Sequence, residues 1–274
     1  MKLYVSCDME GTAGVCSWEQ VDARGYNREY FAYQRYMTHE VRAAIEGARE
    51  AGVTDVLVND SHGPMRNLLF DELPSDIRVI FGNRKPFSMV QGVDDCDGVF
   101  FTGYHAAIGT ENGTLAHTYS PGCIYDARIN GVRCSEATLN AGLAGHYGVP
   151  VLLVTGDRVT IDEVTEQMPW VTGVVVKNGI GHHSVDSLAP VAAQRLIRAG
   201  AADAVRNATR AKPYVFAAPI TLEIDVTRVE QADLIELIPG FERVAGRTVR
   251  LVHDDYPTVF KAFVAAFRMG ALAL

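Results

Sequence analysis

The chain has 274 residues, 48% hydrophobic and 21% charged, an ordinary globular composition sufficient for one large domain or a main domain with a small appendage. Its net charge of −8, spread along the chain without a Lys/Arg run, argues against nucleic acid as a partner, and no apolar run approaches the roughly 20 residues of a membrane span. The five cysteines (Cys7, Cys16, Cys96, Cys123 and Cys134) are irregularly spaced and contain no Cys-x-x-Cys pair. Reduced thiols in a reducing compartment are therefore expected, and with them a cytoplasmic location, rather than a disulfide framework or a thiolate zinc site.

Residues 3–8 read as an opening strand, too soon interrupted by Asp8 to be a signal peptide. A helical pattern runs from Asn27 to Glu50, with Phe31, Met37, Val41 and Ile45 as its inner stripe and Ala51-Gly52 as its stop. The apolar run Val56-Leu57-Val58 suits a strand covered on both faces, and it ends in Asn59-Asp60-Ser61-His62-Gly63-Pro64. Strands are predicted at 77–81 and 98–101, the latter leading into Thr102-Gly103-Tyr104-His105. A helix at 135–147 stops at Gly148, with Pro150 just beyond; a strand at 151–155, a helix at 161–167, a strand at 173–177 and an Ala-rich helix at 190–209 follow. Alternating β and α units of this kind predict an α/β fold: a mostly parallel sheet flanked by helices.

Lys212-Pro213 reads as a boundary between a catalytic α/β domain (1–212) and a small C-terminal α+β subdomain (213–274). The tail pattern is β-α-β-α: a strand at 220–226, a helix at 229–237, a Pro239-Gly240 break, a strand at 248–252 and a closing helix from 257. That last helix, apolar through 259–274 except for Lys261 and Arg268, is expected to be buried, and a subunit interface is one place to bury it.

Chemistry concentrates where the predicted strands end. Asp8 and Glu10 alternate onto one face at the end of the first strand, where two carboxylates repel each other unless a cation lies between them. His62 follows the second strand, His105 the fourth, and Glu136 opens the next helix. Taken singly, each has an ordinary explanation: a turn histidine, a satisfied buried histidine, a carboxylate favoured by the helix dipole. Together they fall at the carboxyl ends of strands, where open α/β sheets collect ligands. Five imidazole and carboxylate ligands, with one carboxylate shared, supply three bonds to each of two ions, as in dinuclear hydrolases. The donor set suits zinc, with manganese or cobalt as alternatives. His117 stands apart after the Gly109–Gly113 loop and reads equally as a sixth ligand, a general acid/base or an oxyanion stabiliser. His182-His183 is a rival pair, but adjacent residues rarely ligate one ion; His39 reads as a surface residue. A thiol nucleophile at Cys7 or Cys16 is disfavoured, because neighbouring carboxylates raise a thiol pKa.

Ser6-Cys7-Asp8-Met9-Glu10-Gly11, Val58-Asn59-Asp60-Ser61-His62, Gly103-Tyr104-His105-Ala106, Ala116-His117, Ile129-Asn130-Gly131 and Glu136-x-x-Leu139-Asn140-Ala141 resemble the zinc-dependent D-aminopeptidase family. Lys85-Pro86-Phe87-Ser88-Met89-Val90, Val149-Pro150-Val151-Leu152 and Leu237-Ile238-Pro239-Gly240 extend the likeness, which is densest before residue 157. The resemblance implies two zinc ions on Asp8, Glu10, His62, His105 and Glu136, with Asp8 as the bridge and His117 as a catalytic histidine near the substrate. It also implies a short peptide substrate with an amino-terminal D-residue, and a ring-shaped homo-oligomer, a decamer in the family's type member. The loop from His105 to His117 is one residue longer than in that type member and borders the substrate. Another amide, such as a β-amino or γ-glutamyl linkage, is the alternative substrate. A metal-stabilised binding or assembly protein is the non-enzymatic alternative, disfavoured because structural zinc sites are closed by four protein ligands.

Overall fold

A computed structural model describes residues 1–22 and 28–273; Asn27 and Leu274, which the sequence assigns to helix ends, lie outside the described residues. In chain order the elements are β1 (Lys2–Cys7), α1 (Arg28–Glu50), β2 (Asp55–Asp60), β3 (Arg78–Ile80), β4 (Gly98–Tyr104), β5 (Ile124–Ile129), β6 (Val132–Arg133), α2 (Glu136–His146) and β7 (Val151–Asp157). There follow α3 (Arg158–Gln167), β8 (Thr172–Gly181), β9 (Ser184–Ser187), α4 (Pro190–Arg206), β10 (Ile220–Val226), α5 (Val229–Ile235), β11 (Glu242–Ala245), β12 (Thr248–His253) and α6 (Tyr256–Gly270).

Seven strands form the main sheet in the order β3-β2-β1-β4-β7-β8-β9, parallel throughout except for the β8–β9 hairpin at one edge. Strand alternation explains how it is covered. Leu3, Val5, Val56, Val58 and Phe100 point to one face, packing with Met37, Val41 and Ile45 of α1 and Ala193 and Ile197 of α4. Tyr4, Val99, Phe101 and Val154 point to the other, against α2, α3 and a second sheet. Phe31 departs from the expected stripe: it is 54% exposed, and Tyr30 turns inward instead, its hydroxyl donating to Asn67 Oδ1 (2.7 Å). A polar tether thus decides which of two adjacent aromatic rings is buried.

The second sheet is antiparallel, in the order β11-β12-β10-β5-β6. Its tail strands are joined by the β5–β6 hairpin from residues 124–133, with Leu222 opposite Ile129 and Ile224 opposite Ala127. Ile220, Leu222, Ile224 and Val226 alternate inward along β10. Helix α6 lays Val259, Phe260, Phe263 and Val264 into the core between this sheet and α2, so the apolar helix is buried within the chain itself. The tail is accordingly β-α-β-β-α, with β11 added to the expected pattern. Among the described residues no helix is long and apolar enough to cross a membrane.

Candidate metal centre

The carboxyl ends of β2, β1 and β4, three neighbours in the sheet, deliver the site. Pairing of β1 with β4 continues past the strand, with Asp8 N–H donating to the Thr102 carbonyl and Gly11 N–H to the Gly103 carbonyl, both at 2.8 Å. So close an approach requires glycine on both sides. A Cβ at Gly11 would stand 1.9 Å from the Tyr104 carbonyl oxygen, and one at Gly103 (φ +67°) 2.2 Å from the Asp8 carbonyl oxygen. Asp8 and Glu10 are thereby set beside His105, the first residue beyond β4.

His62 is held by the turn beyond β2. The Asp60 carboxylate accepts from the N–H groups of Asn67 (2.6 Å) and Leu68 (2.9 Å) and from Asn67 Nδ2 (2.7 Å), closing that turn. The buried Lys85 ammonium donates to the Asp60 carbonyl (2.7 Å) and to Asn59 Oδ1. Glu136 is the first residue of α2, where Ser135 caps the helix by accepting from Thr138 N–H (3.2 Å) and the dipole favours a carboxylate. Its Oε1 accepts from Tyr119 N–H (2.6 Å).

All six residues singled out in the sequence converge: Asp8, Glu10, His62, His105, His117 and Glu136 are buried, none more than 7% exposed. The imidazole of His62 presents Nδ1 to Asp8 Oδ1 (3.2 Å) and Glu10 Oε2 (2.9 Å), while Nε2 donates to the Val21 carbonyl (2.7 Å). His105 and His117 stack at 4.0 Å with their planes 9° apart. Each donates Nδ1–H to a backbone carbonyl, Ala106 at 3.0 Å and Leu115 at 2.8 Å, which leaves Nε2 facing inward. His105 Nε2 lies 3.4 Å from Asp8 Oδ2 and 3.3 Å from Glu136 Oε1; His117 Nε2 lies 3.7 Å from the same Glu136 oxygen.

Burial alone would raise the pKa of Asp8, but hydrogen bonds and charge from His105 and His62 outweigh it and hold the carboxyl well below its usual range. The converse applies to the two imidazoles. Burial pulls each down, yet Glu10 and Asp8 raise His62, and Glu136 and Asp8 raise His105, well above the ordinary histidine value. His117 is lowered, by burial first and then by the charge of His105. The cluster holds three carboxylates and three imidazoles, with no thiolate, a donor set suited to zinc and its neighbours. Asp8 Oδ2 and His105 Nε2 are buried without a hydrogen-bond partner, a costly arrangement that a cation between them relieves. Two triads, Asp8–Glu10–His105 and His105–His117–Glu136, have ligand atoms all within 4.8 Å of one another. On these observations the residues fit a metal.

The other candidates do not join the cluster, although the His182 ring packs on Trp18 with centroids 6.2 Å apart. His182 and His183 are exposed, His39 is half-buried against Glu72, and Cys7 points into the core, where burial drives its thiol pKa well up. Three side chains around the centre were not anticipated. Lys177, at 1% exposure, donates from Nζ to the carbonyls of Glu10, Thr12 (3.1 Å) and Val15 (2.8 Å), clamping the loop that carries the acids. Burial pushes its pKa down to about 8. The Tyr119 backbone holds Glu136, and its hydroxyl donates to Asn140 Oδ1 (2.7 Å). Trp18 packs edge-on to His117, with ring centroids 5.3 Å apart. Only Lys177 left a trace in the sequence: a charge directly after the apolar run Val174-Val175-Val176, inside a predicted strand.

The centre opens into a cleft of about 570 Å³ whose walls include Trp18, Met65, Met89, Tyr119 and Phe267. A sequence profile of the D-aminopeptidase family, peptidase family M55, matches residues 1–265. The chain belongs to this family. It is therefore an enzyme, a peptidase of the hydrolase class. A D-aminopeptidase of Bacillus subtilis (strain 168) is 38% identical to it, over 100% of this chain and 98% of the relative. The solved structure of a Zn-dependent D-aminopeptidase, DppA from Bacillus subtilis, described as a self-compartmentalizing protease, superposes with a TM-score of 0.94 at 36% identity, covering 99% of this chain and 98% of that one. The mostly parallel α/β architecture is thus shared with the D-aminopeptidase fold.

Proposed function

We propose that the chain is a zinc-dependent D-aminopeptidase that removes the N-terminal D-residue from short peptides. Asp8, Glu10, His62, His105 and Glu136 hold two zinc ions, Asp8 is shared between them, and His117 acts on the substrate. The observation that carries this reading is the two-sidedness of Asp8. Its Oδ1 faces His62, which also meets Glu10, and its Oδ2 faces His105, which also meets Glu136. One carboxylate therefore borders two nitrogen–oxygen donor groups.

Zinc held here supplies Lewis-acid polarisation of a carbonyl and a water made acidic enough to be a nucleophile near neutral pH. The chain's own residues supply the rest. With Nδ1–H committed to the Leu115 carbonyl, neutral His117 carries its lone pair on Nε2 and can accept a proton there. Its lowered pKa keeps that form populated at neutral pH, and in the acid half of the cycle the same atom returns the proton to the leaving amine. Trp18 shields this nitrogen's ring from solvent on one side, and the apolar walls of the cleft bind the substrate's side chains.

The self-compartmentalizing character of the DppA relative supports a homo-oligomeric assembly of this chain, for which a ring of ten is the specific proposal. The division at residue 212 is retained as the functional one, with residues 213–274 serving assembly. All five cysteines are free, which supports a reducing, cytoplasmic location. Matched D- and L-amino-acid amides and dipeptides test the activity on protein reloaded with zinc or manganese. Zinc-dependent release of the N-terminal residue from the D-series is the expected result. Hydrolysis confined to the L-series, or undiminished after complete chelation, overturns the reading.

A further inference from the structure

The cleft that starts at the acidic centre also has a cation on its wall. Arg268, in the last turn of α6, lines the same cavity as Asp8, Glu10 and His62. Its half-buried guanidinium sits 5.9 Å from the Phe267 ring, and Nη2 donates to Asn83 Oδ1 at 3.3 Å. Among the described residues it forms no ion pair. Partly buried arginines elsewhere in the chain do: Arg128 holds Asp126 and Asp225, and Arg243 holds Asp233 and Glu236. Asp22 also lines the cleft. The neighbouring charge is another cation, Arg84, which together with burial disfavours the protonated guanidinium. A partly desolvated cation on a cavity wall, next to a second cation and with no ion pair among the described residues, is complementary to an anionic ligand.

We infer that Arg268 binds the C-terminal carboxylate of the substrate and so selects short peptides with a free carboxyl end. The inference rests on the proposed D-aminopeptidase activity and adds what fixes the far end of the substrate. A planar guanidinium matches a carboxylate bidentately, and its neutral neighbour Asn83 orients the fork without neutralising it. The geometry of the cleft agrees. Its volume of about 570 Å³ suits a ligand of dipeptide to tripeptide size, with the scissile bond at the metal end and the carboxylate at Arg268.

The test compares D-alanyl-D-alanine with its C-terminal carboxamide, using zinc-loaded wild type, Arg268→Met and Arg268→Lys. The readout is the ratio of kcat/KM for the acid to that for the amide. Both values come from one protein preparation, so differences in folding or metal content cancel. Wild type is expected to favour the acid by about 10- to 100-fold, the effect of one charge-assisted contact. Arg268→Met should bring the ratio to about one through a rise in KM for the acid, and Arg268→Lys should keep an intermediate ratio. A wild-type ratio near one, or an unchanged ratio in Arg268→Met, overturns the role of Arg268 while leaving the activity in place. Failure of wild type to hydrolyse either compound overturns the activity, and this inference with it.

Discussion

His117 and its stacked neighbour His105 offer nearly the same view to the centre, so their roles are separated by experiment. If His117 transfers protons, His117→Ala keeps the wild-type zinc content and loses kcat by roughly 10²–10⁴-fold, with a much smaller change in KM. Loss of zinc from that variant, with activity regained in excess metal, would make His117 a ligand instead. A second expectation concerns pH. His62 and His105 are raised by their carboxylates, so in the metal-free protein they bind protons that zinc must displace. Below the ordinary histidine pKa those protons stabilise the metal-free fold; the contribution disappears as pH rises through the raised values. Zinc affinity should therefore rise with pH, by about tenfold per pH unit for each imidazole proton displaced. Calorimetric zinc titrations at pH 6 and pH 8, in buffers of different protonation enthalpy, measure both the affinity and the protons released. Equal affinity at the two pH values, with no protons released, would show that zinc displaces no imidazole proton in this range. The ligand candidates were legible because each follows a strand or opens a helix, positions readable from local pattern alone. Trp18 and Tyr119 were not, because their contacts depend on how distant loops fold over the centre.

Loops and strands explain what else the sequence did and did not disclose. The parallel strands were readable as apolar runs, and β10 as clean alternation, since burial imposes those periods directly. Strands β6, β9 and β11 are two to four residues long with no fully buried position, so their pairing, not their composition, makes them strands. The β5–β6 hairpin belongs to the sheet of the tail because β10 pairs with it across almost 100 residues, a register no local pattern encodes. The loop from Asp8 to Val15 has a comparable dependence on a distant residue. Three of its carbonyls are satisfied by the Lys177 ammonium from β8. Lys177→Met should leave those groups without their donor at a cost on the order of 3 kcal/mol, and should weaken zinc binding by displacing Glu10. Denaturant unfolding and zinc titration of the variant check the two effects. Undiminished stability together with wild-type zinc affinity would mean that the loop holds its shape without the clamp.

At the scale of the molecule, the apolar cores lie on both faces of the main sheet and contain most of its buried side chains, independently of any ion. Chelation should therefore abolish hydrolysis while leaving the far-ultraviolet circular dichroism essentially intact, with a lower Tm because zinc binds the folded state. Loss of secondary structure on chelation would instead make the metal part of the fold. Assembly is the remaining property, and burial of α6 within the chain changes the reason for expecting it. The helix has already found its apolar partners, so it does not by itself demand a second subunit. The surface of the small sheet and the segments beside it does carry large exposed apolar residues: Tyr125 at 60%, Val132 at 50%, Leu237 at 70%, Val252 at 51% and Leu272 at 75%. Single exposed apolar residues are ordinary on a monomer, but several on one small unit favour a protein contact there. A closed ring uses one such surface repeatedly, each copy meeting a different patch on the next. Light scattering at micromolar concentration should give a mass several times the 29.9 kDa of one chain. Leu237→Glu and Val132→Glu, both on exposed positions and harmless to the core, should shift that mass downward with circular dichroism unchanged. A single-chain mass for the unaltered protein would rule out the oligomer, and an undisturbed assembly in both variants would move the interface away from the small sheet and the segments beside it.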